Sequence, residues 1–151
     1  MPKNIRKGLC AMIFRATEEI ADRFESDGIK CDIHEEEHTS TVLVGVDLDN
    51  TGILIRFISA DDDNDVAIRV YHFAQVPKDH TAWGLLAVNK LNDKYRFVTF
   101  TFDSDDHSID IRADLLVTTV DVGDAATEML ARLVKICDEA YPELMKAIWS
   151  E

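Results

Sequence analysis

From residue 42 onward the chain follows a period of two. Val42, Val44, Val46 and Leu48 alternate with Leu43, Gly45 and Asp47, then Ile53, Ile55 and Phe57 form a second run, and Val66, Ile68 and Val70 a third. Successive side chains leave a strand on opposite sides, so this alternation marks strands with one face in a core and the other in water. Asp49-Asn50-Thr51-Gly52 and Asp61-Asp62-Asp63-Asn64-Asp65 separate the runs, and both are turn sequences. Connections this short join only antiparallel neighbours, because a parallel crossover needs a dozen residues or more. The result is a three-stranded antiparallel meander, with room for a short extra strand around residues 29–33.

Helices flank the meander. Leu9, Ile13, Ala16, Ile20 and Phe24 recur at spacings of three and four, with Arg15, Glu18, Glu19, Asp22 and Glu25 elsewhere, which predicts a helix stopped near Gly28. Pro77 and Asp79 open a second helix over residues 81–93. Two more strands follow at 95–102 and 108–117, turning at Asp103-Ser104-Asp105-Asp106. Asp121, with Asp124 three residues on, starts a last helix. Its apolar stripe includes Ala126, Leu130, Leu133, Cys137, Leu144 and Ile148. Pro142 is expected to kink or split that helix near Tyr141. The expected order is α-β-β-β-α-β-β-α, an α+β fold with three helices packed on an antiparallel sheet of about five strands. No repeat or linker divides the chain, so residues 1–151 read as one domain.

Charge narrows the function. Asp plus Glu number 29 against 16 Lys plus Arg, for a net charge of −13. Such a surface repels phosphate backbones and anionic lipid, which argues against nucleic-acid and membrane roles and favours partners carrying basic residues. The apolar run at residues 9–14 is too short for a signal peptide, and nothing approaches the ~20 apolar residues of a membrane span. Cys10, Cys31 and Cys137 are too few and scattered for a disulfide framework, so a reduced cytoplasmic protein is expected.

Motifs that carry chemistry are few. His34-Glu35-Glu36-Glu37-His38 matches H-E-x-x-H, which would make a metal-dependent hydrolase of His34, Glu35 and His38. That chemistry needs both histidines on one helix face, whereas this segment reads as strand or loop with glutamate at both middle positions. The aspartate clusters lack the Gly and Glu of a calcium loop and read as hairpin tips. Cys10 and Cys137 lie on apolar stripes, and His72 and His107 have no Ser or Cys partner in a motif. No catalytic residue, cofactor or metal site is expected.

The hairpins over residues 42–73 are followed by Val76-Pro77 and a helix closing Ala87-Val88-Asn89-Lys90-Leu91-Asn92. Then come an aromatic strand, a hairpin, and a last helix with Asp138-Glu139-Ala140-Tyr141-Pro142. In that order and spacing the chain resembles the YbjN family, over about residues 9–149. The resemblance implies the fold of class I type III secretion chaperones. It also implies a small acidic, dimeric, non-catalytic protein that binds peptide segments or acts in regulation, with no active-site residues to transfer. A small-ligand sensing domain is the other non-enzymatic alternative.

The second helix bears on the oligomer. Ala82, Leu85, Leu86, Val88 and Leu91 spread over about 220° of its circumference, beyond the ~100° stripe that one sheet face covers. Trp83 borders that arc. A homodimer is expected, with Trp83, Leu86 and Leu91 in its interface.

Overall fold

A computed structural model of the chain describes residues 13–60, 65–118 and 120–149. In chain order come α1 (Arg15–Ser26), β1 (Asp32–Glu35), β2 (Ser40–Asp47), β3 (Gly52–Ser59), β4 (Asp65–Gln75) and a 3-10 turn (Lys78–His80). Then follow α2 (Thr81–Lys94), β5 (Thr99–Asp103), β6 (Ser108–Leu116) and α3 (Val122–Trp149). The strands form one antiparallel sheet in the spatial order β1-β2-β3-β4-β6-β5. The α+β class and three helices are as expected, but the strands number six rather than five, in the order α-β-β-β-β-α-β-β-α. The additional strand is β1, which lies two to three residues beyond the short extra strand allowed for around residues 29–33. Its four residues are too few to show a period, and it exists by pairing with β2, Ile33 opposite Val42.

Local chemistry explains the end of the first helix and the start of the last. α1 stops at a Schellman motif: Gly28 takes φ +75° and donates its N–H to the Glu25 carbonyl, while Ile29 donates to that of Phe24. Ile13 precedes this helix and Phe14 caps it, so α1 starts later than the periodicity suggests. Leu9 and Cys10 lie outside the described residues. Asp121 opens α3 as expected, its Oδ1 accepting the Asp124 N–H at 2.9 Å. α3 then runs through Pro142 without splitting. Pro142 is exposed, so the carbonyl that loses its helical partner there can bind water instead.

The alternating residues divide as their period requires. Val42, Val44, Ile55, Phe57, Ile68, Val70, Ile111 and Ala113 are buried on one face of the sheet, beneath helices. α1 lies over β2 and β3, and α3 over β4 and β6, while α2 packs on α3 and β5. Phe24 meets Phe57 edge-on at 5.3 Å and Phe73 meets Tyr141 at 5.6 Å, fixing the helices to the sheet. Under α1, Thr17 bonds the hydroxyls of Ser40 at 2.7 Å and Ser59 at 3.1 Å, and the Phe14 N–H donates to Ser40 Oγ. These buried polar groups satisfy one another, as burial demands. The opposite face carries no helix among the described residues, and Leu54, Tyr71, Arg112 and Leu116 are exposed there.

Candidate functional site

The H-E-x-x-H segment does not adopt zinc-hydrolase geometry. His34 lies on β1 opposite Thr41, whereas His38 lies in the turn that joins β1 to β2. That turn is tied by the Glu36 N–H donating to the Thr39 carbonyl at 2.8 Å. The histidines therefore sit on different elements rather than one turn apart on a helix face. Each faces a neighbouring glutamate, His34 with Glu36 at 3.3 Å and His38 with Glu37 at 3.8 Å.

The other candidates also settle into structural places. At the second aspartate cluster, Asp103 Oδ1 accepts the N–H groups of Asp105 and Asp106, which is turn chemistry. The first cluster falls largely outside the described residues. Cys137 is buried on α3, and burial pushes its thiol up to about 12, so it is no nucleophile at neutral pH. His72 marks a bulge in β4 with φ +53°, its N–H donating to Asp110 Oδ1 at 2.9 Å.

α2 divides its wide apolar arc between two environments. Gly84, Ala87 and Leu91 are buried, and Leu91 is only 2% exposed. Gly84 permits that approach, because a Cβ there would lie 3.0 Å from Val76 Cγ1. Trp83, Leu85 and Leu86 point the other way, with Trp83 47% and Leu86 55% exposed. Leu91 therefore belongs to the chain's own core, and Trp83 and Leu86 remain on the outer face. The Trp149 ring meets His80 edge-on at 5.8 Å just before α2, one helical turn from Trp83. Residues 81–89 carry no charged side chain, an uncharged helical surface on a strongly acidic chain.

Asn92, at the close of α2, has a role that the sequence reading missed. Its side-chain amide donates to the Phe100 carbonyl at 2.9 Å, and its Oδ1 accepts the Phe100 N–H at 2.7 Å. It thus stands where the next strand would pair with β5, an edge strand of the sheet.

Between the end of α2 and α3 lies a cleft of about 300 Å³, with Lys94, Arg96, Phe97, Arg132 and Lys135 in its lining. Phe97 takes φ +74°, a left-handed conformation costly for a bulky residue; the residue is 64% exposed, and the Arg132 guanidinium lies 4.9 Å from its ring centre. This is also why β5 begins at Thr99 rather than at residue 95. Lys94 pairs with Glu143 at 2.9 Å.

Among the described residues no helix is long and apolar enough to cross a membrane. No curated protein and no solved structure matches the chain. A sequence model of the YbjN family, whose description reads "Putative bacterial sensory transduction regulator", matches residues 16–145. The residues behind the earlier resemblance hold the fold together: Leu91 in the core, Asn92 on the β5 edge, Asp138 Oδ1 accepting the Asp49 N–H, and Tyr141 on Phe73. The matched span runs from the first turn of α1 nearly to the end of α3 and takes in every strand of the sheet, so the chain belongs to the YbjN family.

Proposed function

We propose that this chain is a non-enzymatic cytoplasmic binding module acting in regulation, and that it works as a homodimer joined through the exposed face of α2. The observation that carries the reading is Trp83 and Leu86 standing exposed on a helix whose residues 81–89 are uncharged. Two copies each bearing −13 repel, and an uncharged apolar strip is where they approach at least electrostatic cost. A two-fold contact places the same strip on both sides, and aromatic side chains at its centre bury much area at little entropic cost. The dimer would present protein or peptide partners with surfaces other than the β5 edge, which Asn92 already occupies at Phe100.

Light scattering tests this reading. The wild-type protein is expected near twice 17.1 kDa, and Trp83→Glu near 17.1 kDa with native circular dichroism. A wild-type monomer at high concentration, or a Trp83→Glu protein that remains dimeric, refutes it.

A second reading, a sensor of small organic anions, is favoured by the cationic cleft around Phe97. A thermal-shift screen of aromatic carboxylates and organic phosphates tests it. Stabilisation of the wild type that disappears in Arg96→Ala supports this reading, and a flat screen removes it.

A further inference from the structure

The register of the sheet aligns one line of residues across its helix-free face. Asp32, Leu43, Arg56, Arg69, Arg112 and Thr99 are successive cross-strand partners on β1, β2, β3, β4, β6 and β5. Three arginines therefore stand side by side at the middle of the sheet of a chain whose net charge is −13. Like charges directly opposite one another destabilise a sheet, so this row opposes stability unless something else is served. Only Arg69 has a carboxylate, Asp114 at 3.2 Å, while among the described residues Arg56 and Arg112 have no ion-pair partner.

The row is held in place. Arg69 Nη1 also donates to the carbonyls of Ile68 and Ala113, each at 2.8 Å, and the Arg56 guanidinium lies 5.5 Å from the centre of the Tyr71 ring. Beside Arg56 the same face opens into a dimple of about 310 Å³ lined by Lys30, Cys31, Asp32, Leu43, Gly45 and Leu54, apolar at its centre and carrying one charge of each sign at its rim. A Cβ built on Gly45 meets nothing within 4 Å, so the missing side chain leaves open space there.

We propose that the helix-free face is a binding site for an extended acidic peptide segment, seating an apolar side chain in the Leu43–Gly45–Leu54 dimple and carboxylates on Arg56 and Arg112, with Arg69, already paired with Asp114, between them. This rests on the reading of the chain as a binding module and names the chemistry of its partner. It reverses, for this face, the expectation that an acidic protein prefers basic partners. Planar guanidinium forks match carboxylates bidentately, which selects them over other polar groups. Neighbouring strands are about 4.8 Å apart, so Leu43 to Arg112 spans roughly 14 Å, about four residues of extended chain. Side chains one, three and five of such a segment all face the sheet. A leucine followed at the second and fourth positions by glutamates fits that spacing.

Fluorescence anisotropy with labelled Leu-Thr-Glu-Thr-Glu, titrated with the full chain at low salt, tests the proposal. The reversed-order peptide, a Leu-Thr-Lys-Thr-Lys control and an oligothymidylate of similar length are run beside it. Saturable binding of a glutamate peptide is expected, weakening as salt rises, with none of the lysine control. Arg112→Gln and Gly45→Val should each weaken it about tenfold or more. Both positions are exposed, and the first relieves like-charge repulsion, so melting temperatures at or above wild type should show that each variant folds. No saturable binding by either glutamate peptide, equal binding by both folded variants, or tighter binding of the oligothymidylate overturns the proposal. Trp83→Glu separates the two readings. A monomeric variant that still binds the peptide leaves both readings standing, and a dimeric wild type that ignores it sinks the peptide site alone.

Discussion

Replacing Asn92 by alanine removes the two hydrogen bonds that tie α2 to the outer edge of β5. Each hydrogen bond of this kind contributes about 0.5–1.5 kcal/mol net, so the pair is worth about 1–3 kcal/mol. Asn92 itself is exposed, and water can reach the freed Phe100 groups, which puts the expectation in the lower half of that range. At roughly 2–4 °C per kcal/mol for a chain of this size, the melting temperature should fall by about 2–8 °C. Differential scanning calorimetry on wild type, Asn92→Ala and Asn92→Asp measures it. The aspartate variant keeps an acceptor for the Phe100 N–H but sets its second carboxylate oxygen against the Phe100 carbonyl, so it too should melt below wild type. Hydrogen exchange at Phe100 should accelerate in the alanine variant, because its N–H then faces solvent. An alanine variant that melts within a degree of wild type, with Phe100 exchange unchanged, refutes the idea that this side chain caps the sheet.

Three other outcomes follow from the charges. Burial raises the Cys137 thiol from its ordinary 9.0 to about 12, so between those values the unfolded chain gives up a proton that the folded chain keeps. Stability is unaffected by this group below pH 9 and should fall above it, by up to about 1.4 kcal/mol per pH unit. Urea melts across that range, compared with Cys137→Ala, isolate the effect, and parallel pH profiles for the two proteins count against it. Raising salt from low to moderate concentration should raise the melting temperature by screening the net −13, and a steady fall would show that ion pairs outweigh repulsion. His34→Ala combined with His38→Ala should leave the melting temperature within about 2 °C, because both side chains are exposed on a strand and a turn. A larger drop, or stoichiometric zinc lost in the double variant, contradicts the geometry of that segment.

The period-two runs, the aspartate-rich turns and the caps at Gly28 and Asp121 are local features, and local chemistry suffices to place them. A strand's alternation assigns each side chain to a face before any neighbour is known, which is why Val42, Ile55 and Phe57 were legible as core. The wide apolar arc of α2 was legible in the same way, but how it divides was not. Trp83 and Leu91 are equally apolar in sequence, and only the docking of α2 on β5 and α3 buries one and exposes the other. β1 was legible only as room for a short strand around residues 29–33, since four residues carry no period and its place at 32–35 is fixed by its partner.

The arginine row shows where sequence stops and tertiary structure begins. Alternation alone places Arg56, Arg69 and Arg112 opposite the buried positions of their strands. The β3–β4 hairpin register brings Arg56 against Arg69. Arg112 joins them only because β6, rather than β5, pairs with β4, and because the bulge at His72 falls beyond the paired arginines instead of between them. Faces are set by bond geometry within one strand, and so the sequence determines them. Neighbours across a sheet are set by which strands find each other over long stretches of chain, and that choice belongs to the packing of the whole core.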